Sequence, residues 1–255
     1  EGLLEPFDAS LVGGADRFIE GAVHECGVRS MMSCSMVGFN AEAFPADKQP
    51  SRLTDFWDLK NFPGKRGLNK GAENSMRPAL IADGVPPHMV YDVLGTEAGM
   101  ARALRKLDEI KPHAVWWTAW GNPPQLLANK EVTMTYVASA RMISGAEKFN
   151  KPFKLIWDGS VKSGDYWVVV KGSPNKDLAN KFIKFASRDD RQIDWAKTYP
   201  YGPTVKSALA EVPEEINRNL CTYPANQFNS FFRNPQFSAD HSDELKVRFN
   251  AWMAK

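Results

Sequence analysis

Two short clusters in this 255-residue chain set an aromatic ring beside a turn where a ligand could be met. Trp157 and Asp158 follow the apolar run Phe153–Trp157 and so stand at a strand end, where α/β sheets place ligands. Trp120 and Gly121 precede a helix that opens on Pro123 and Pro124, and the first turn of that helix offers free backbone N–H groups to an anion. Ring faces attract alkyl-ammonium groups and carboxylates accept their N–H donors, so an aromatic beside an acid suits an amine. The acid matters more than the rings. A cation–π contact is worth about 0.5–2 kcal/mol, whereas an ammonium buried without a carboxylate costs several kcal/mol.

Other chemistries are poorly served. Cys26, Cys34 and Cys221 lack metal-ligand spacing and permit one disulfide at most, with one thiol left over. Cys34, in an apolar run, would need a basic neighbour to act as a nucleophile, and no context marks His24, His88, His113 or His241 as that partner. A buried inert cysteine is the expectation. Tyr199 and Tyr201 are close enough to be considered as ferric-ion ligands, but Pro200 separates them and no His/Asp set lies nearby. No metal, cofactor or catalytic residue is expected.

The elements that position these residues read as α/β. The composition is that of a folded globular chain, and 32 basic against 30 acidic side chains give no basic cluster for nucleic acid. The densest basic stretch, Lys60–Lys70, reads as a solvated turn. No apolar run approaches the ~20 residues that span a bilayer, and the chain shows no leader-like basic head and apolar segment. The opening Glu1–Asp8 reads as a loop. Met31–Phe39, His113–Trp117, Val132–Val137, Phe153–Trp157 and Asp165–Lys171 read as strands. Helices are expected over Asn74–Asp83, with Pro78 in the first turn, and over Met100–Ile110, Asn122–Asn129, Lys176–Ala186 and Asp190–Lys197. In Lys176–Ala186 the spacing of Leu178, Phe182 and Phe185 predicts one apolar face, with Ser173 or Asn175 capping the start. Alternating strands and helices with short connections predict mainly parallel sheets.

Six blocks, in order, carry a resemblance: Leu53–Gly67 (LTDFWDLKNFPGKRG), Ala79–Pro87 (ALIADGVPP), Arg102–Trp117 (RALRKLDEIKPHAVWW), Gln125–Met134 (QLLANKEVTM), Asp165–Ser187 (DYWVVVKGSPNKDLANKFIKFAS) and Tyr201–Ala208 (YGPTVKSA). None is a catalytic signature, but their colinearity over nearly the whole chain resembles the spermidine/putrescine-binding solute-binding proteins of bacterial ABC importers. The resemblance implies a type II periplasmic-binding-protein fold, with two α/β lobes joined by hinge crossings at Met36–Asn40 and Asp165–Val170. Lobe 1 would comprise 1–40 and 165–200, lobe 2 would comprise 41–164, and 201–255 would be a C-terminal helical segment near the hinge. Relatives carry two or three βα units before the segment matching Glu1, so lobe 1 is expected to be truncated at its N-terminus. The implied protein is periplasmic, partnered by a small-molecule ligand and ABC permease subunits, and a monomer when the full-length chain is present. A cleft-cysteine transferase on the same fold, using Cys34, is the enzymatic alternative.

The resemblance also implies ligand contacts. Asp165 matches a cleft acid, Tyr201 a cleft aromatic, and Glu73 or Asn74 an acidic contact; Trp157, Asp158 and Trp120 join them from the reading above. Asp165 could instead cap a turn, and Tyr201 could pack between Pro200 and Pro203. Arg141 stands near a place where polyamine-binding relatives carry an acid, and Ala138 where many carry tryptophan. An arginine there repels a second ammonium and favours a carboxylate. The implied ligand is therefore an ω-amino acid such as γ-aminobutyrate, with putrescine or spermidine the alternative. Arg141 could otherwise pair Glu147 or Asp158.

Overall fold

The computed structural model describes residues 2–255; the Glu1 end of the expected opening loop lies outside the described residues. The strands are β1 (Val23–His24), β2 (Gly27–Arg29), β3 (Ser33–Asn40), β4 (Arg66–Asn69), β5 (Ala114–Trp117), β6 (Met134–Ala138), β7 (Phe153–Ser163), β8 (Tyr166–Val168) and β9 (Phe231–Phe232). The helices are α1 (Ala72–Ala82), α2 (Val90–Leu94), α3 (Glu97–Asp108), α4 (Asn122–Ala128), α5 (Ser139–Phe149), α6 (Lys176–Ala186), α7 (Asp189–Thr198), α8 (Lys206–Glu211), α9 (Glu214–Asn217) and α10 (Pro235–Met253).

The chain folds into two compact units. The first combines the residues up to Cys34 with Lys162–Asn226, and the second combines Ser35–Val161 with Gln227–Lys255. The chain passes from one unit to the other within β3, within β7, and after Asn226. The sequence had grouped 201–255 as one segment, but backbone pairing divides it. Met32 bridges Gly202 and Phe18 bridges Val205, which ties 201–226 to the first unit, whereas α10 packs on α1 and α3 in the second.

The second unit is built on a six-stranded sheet in the order β5-β4-β6-β3-β7-β9. β4 runs parallel to β5 and β6, while β3 runs antiparallel to β6. The sheet is thus mixed, where alternation of elements predicted a mainly parallel one. Its core contains Phe39, Leu53, Phe56, Leu68, Met76, Leu80, Met100 and Leu107. α10 closes this core with Phe237, Leu245, Phe249 and Trp252, residues whose burial at i, i+4, i+7 spacing defines its inner face.

α3 starts where the Thr96 side chain accepts from Gly99 N at 3.0 Å. Gly99 is required here: a Cβ would lie 1.8 Å from the Val93 carbonyl oxygen, so the α2–α3 turn closes only on glycine. α1 begins at Ala72 rather than Asn74, and Pro78 therefore lies inside the helix rather than in its first turn. The missing amide removes the helical donor to the Asn74 carbonyl. The Lys60–Lys70 stretch is also not wholly solvated. Arg66 is fully buried and donates to the carbonyls of Phe56, Asp58, Phe62 and Gly64. Burial pulls its pKa down to about 10, against a smaller opposing pull from Asp58. One guanidinium thus holds the 56–64 loop in shape.

The first unit carries a three-stranded antiparallel sheet, β1-β2-β8. The expected strand Asp165–Lys171 is regular only over β8, and a Leu4–Val170 bridge extends the pairing. Val12, Phe18, Val28, Val169, Ile183, Val205 and Ala208 form the core. On α6 the predicted apolar face is outside: Leu178 is 67% exposed, Phe182 48% and Phe185 47%, and Ile183 is the buried position. Asn175 stands at the start of α6 without a side-chain cap bond, and Ser173 Oγ accepts from its N–H at 3.3 Å. Cys34 and Cys221 form a disulfide, leaving Cys26 free and half-buried. Cys34 is therefore neither the inert thiol nor the nucleophile weighed from sequence. Among the described residues, no helix is long and apolar enough to cross a membrane.

Candidate functional site

In the second unit the parallel strands β4, β5 and β6 end at one edge of the sheet, at Asn69, Trp117 and Ala138. Each is followed by a helix: α1, α4 and α5. Sheet topology thereby brings three helix starts together at the carboxyl ends of the strands, the place where such sheets receive ligands. Glu73 lies in the first turn of α1, Trp120 just before α4, and Arg141 in the first turn of α5. Three of the residues predicted from sequence are therefore gathered at one edge. The antiparallel register of β3 adds Ser35 opposite Ala138.

The turn after β4 is fixed by Asn69. Its side-chain oxygen accepts from Gly71 N at 2.7 Å and Asn74 Nδ2 at 3.1 Å, and its carbonyl accepts from Ser75 Oγ at 2.6 Å. Arg77, buried one turn further along α1, donates to the Glu73 carbonyl, the Tyr91 hydroxyl and Asn74 Oδ1 at 2.8–3.0 Å. Its guanidinium also pairs the Glu73 carboxylate at 3.4 Å, and Glu73 Oε2 accepts from Ser238 Oγ at 2.8 Å. Glu73 thus has partners within the unit, although its buried Oε1 has no hydrogen-bond partner among the described residues. Tyr136 and Ser35 share a buried hydroxyl–hydroxyl bond of 2.9 Å. Burial pushes the Tyr136 phenol above its ordinary pKa, and nearby Arg77 and Ser35 offset part of that rise. It stays neutral and serves as a hydrogen-bonding group.

Trp120 is half-buried, edge-on to Trp117 at 5.1 Å and tilted against Tyr136 at 6.5 Å. Trp116 and Trp117 face opposite ways along β5, Trp116 against Phe249 and Trp252. Arg141 is exposed, and no ion pair or hydrogen bond engages its guanidinium among the described residues. The pairings with Glu147 or Asp158 considered from sequence are not formed. Trp157 and Asp158 lie inside β7 rather than in the turn after a strand. Asp158 accepts from Leu53 N at 3.0 Å and from Asn229 Nδ2 at 2.9 Å, which commits it to holding neighbouring loops. Trp157 is half-buried.

In the first unit, the segment Ser30–Met32 has Asp165 on one side and Tyr201 on the other. Ser30 donates to the Asp165 carbonyl through both N (2.8 Å) and Oγ (3.0 Å), while Met32 and Gly202 exchange two backbone bonds. Gln192 locks this frame, donating to the Ser30 carbonyl and accepting from Thr204 N at 2.7 Å. Only the backbone of Asp165 is used; its carboxylate is exposed and unpaired among the described residues. Tyr201 is half-buried. A cavity of about 480 Å³ opens beside Asp165, walled by Trp167, Phe182, Phe185, Trp195 and Tyr199.

Sequence reasoning missed Arg77, Tyr136 and Ser35. One signal was available: Arg77 interrupts the apolar run that α1 buries. Among the described residues no group of His, Cys, Asp and Glu could hold a metal ion. The exposed Tyr199 and half-buried Tyr201 share only a backbone bond.

Comparison with known proteins adds three findings. Residues 20–220 match the family model described as bacterial extracellular solute-binding protein. The whole chain is 40% identical to the gamma-aminobutyric acid-binding protein of Pseudomonas aeruginosa and spans 72% of that protein. Among solved structures, the Atu4243 GABA receptor matches 100% of the chain and 76% of its own length, with TM-score 0.85 and 30% identity. The periplasmic binding protein MotA of A. tumefaciens B6, solved with glucopine, matches 99% of this chain and 78% of its own, with TM-score 0.85 and 27% identity.

Proposed function

This chain belongs to the bacterial extracellular solute-binding protein family and has the type II periplasmic-binding-protein fold, and from that premise we propose that it captures an ω-amino acid of the γ-aminobutyrate kind for an ABC importer. One observation carries the reading: of the charged residues singled out from sequence, Arg141 and Asp165 are the ones left without a partner among the described residues. Glu73 and Asp158 are occupied. A free guanidinium takes a carboxylate through two parallel N–H···O bonds. A free carboxylate takes an ammonium. Those are the two ends of an ω-amino acid, and a diamine has no use for the first. The 40% identity to a gamma-aminobutyric acid-binding protein agrees with this choice.

In this reading Trp120 supplies an aromatic wall near Arg141, and Tyr201 supplies one near Asp165. Trp157 is a further candidate wall. Glu73 and Asp158 act by fixing the frame. No chemistry is performed on the solute; binding to the folded state alone is the function, exercised in the periplasm by a monomer that hands its ligand to permease subunits.

Calorimetry on the wild type and on Arg141→Asp tests the proposal, with γ-aminobutyrate and putrescine as ligands. Wild type binds γ-aminobutyrate and not putrescine, and the substitution removes that preference. A wild type that prefers the diamine would overturn it.

A further inference from the structure

The chain passes between the two units after Cys34, after Val161 and after Asn226. Any movement of one unit against the other must bend those three segments, because a hinge consists of the few residues that absorb the change. Segments without lateral contacts would bend independently. Here they are tied to one another near each crossing, by contacts that lie wholly inside one unit or the other.

In the first unit, Cys34 is the last residue before the first crossing. It is bonded to Cys221, five residues short of Asn226 at the third, with the Cα atoms 5.7 Å apart. Neither cysteine is among the residues of that unit's apolar core; the bond is made where the chain leaves it. Neighbouring residues pack to the same node. Met32 and Gly202 exchange backbone bonds at 2.8 and 2.9 Å, and a Cβ on Gly202 would lie 2.5 Å from the Thr222 side chain. The segment that follows the second crossing joins them. A Cβ on Gly164 would lie 2.1 Å from the Met31 carbonyl oxygen, so only glycine lets these chains approach so closely. In the second unit β3, β7 and β9 are neighbours in the sheet. Asn229, three residues past the third crossing, donates to Asp158, three residues before the second, at 2.9 Å.

We propose that the Cys34–Cys221 disulfide and the Asp158–Asn229 hydrogen bond are hinge ties, which make the three crossings bend as one ribbon and limit how far the two units move against each other. The disulfide joins the first crossing to the third, and the Asp158–Asn229 bond joins the second to the third. Cutting either tie frees the third crossing from a neighbour. The range of positions that the units sample then widens while each unit keeps its own fold.

Pulsed electron paramagnetic resonance tests this by the width of a label-to-label distance distribution. The parent protein carries Cys26→Ser, which removes the free thiol, and nitroxide labels on Ala210→Cys in the first unit and Val247→Cys in the second, both exposed. Three further variants are compared with it. One combines Cys34→Ala with Cys221→Ala. The second is Asn229→Gly, which keeps the left-handed backbone at 229 and removes the side chain. The third, Ile183→Val, trims the first unit's core and leaves both ties in place, as a control. Near-UV circular dichroism checks that each is folded. Both tie variants should give distributions at least about 1.5 times as wide as the parent's, with the control unchanged. A parent-like width in either folded tie variant overturns the proposal, as does a control as broad as the tie variants. Should the cysteine pair variant prove unfolded, Asn229→Gly decides alone.

Discussion

Glu73 and Arg77 stand one helical turn apart on α1, with 3.4 Å between the carboxylate and the guanidinium. The arginine is buried and also holds Tyr91 and Asn74. The pair joins α1 to α2 through Tyr91 and to α10 through Ser238, at the sheet edge where Arg141 and Trp120 emerge. In the proposed reading this pair frames the site.

Removing one member of this pair leaves the other buried and uncompensated. Arg77→Met should therefore lower the stability of the protein by about 3–5 kcal/mol. The double variant Arg77→Met, Glu73→Gln should recover part of that loss. Urea unfolding of the wild type and the two variants measures it, and a double variant less stable than Arg77→Met would refute the pairing as the cause.

The two kinds of acid should separate cleanly. Asp158→Asn weakens the acceptor for Leu53 N and Asn229, and should cost about 1–3 kcal/mol of stability while leaving the preference between γ-aminobutyrate and putrescine unchanged. Asp165→Asn should leave stability within about 0.5 kcal/mol and weaken γ-aminobutyrate binding. Thermal melts alongside calorimetry check both; a stable, tight-binding Asp165→Asn protein would remove Asp165 from the site.

Acid should act on the first unit through Asp189. Its carboxylate accepts from Ser207 and Arg17; the Ser207 bond does most to hold its pKa below the ordinary 3.8, burial works against it, and Arg17 adds to the lowering. A depressed folded-state pKa gives stability that is complete above the unfolded value and lost as pH falls through the folded one. Asp189→Asn should therefore flatten the loss of stability below about pH 4. Urea midpoints measured at neutral pH and in this acid range would show it as a smaller difference than in wild type.

The disulfide should be visible by counting. Unfolded protein should titrate one thiol, Cys26, before reduction and three after it. The bond closes a loop of 187 residues, so reduction should destabilise the folded state by about 5 kcal/mol on the chain-entropy account. A reductant-insensitive unfolding midpoint would contradict this.

Periodicity made most elements legible, because apolar spacing reports which face is buried. α3, α4, α6 and α7 lie close to where the spacing put them. It could not report that the α6 stripe stays uncovered, since burial depends on what packs against it. Direction of pairing was equally hidden: nothing within β3 records that its neighbour β6 runs the opposite way. Arg66 read as solvated because its carbonyl partners are contributed by a loop whose path only the fold defines. For the site, resemblance pointed to Arg141 and Asp165, and geometry then separated them from Glu73 and Asp158 by which charges already have partners.

The order of the chain carries a consequence for synthesis. α10 supplies Phe237, Leu245, Phe249 and Trp252 to the core that Leu68 and Met76 begin. The larger unit consequently cannot seal while residues 227–255 are still inside the ribosome, and the smaller one waits for residues up to 226. Domains made of contiguous chain fold as they emerge; here each unit waits for a segment far along the chain from the one that begins it.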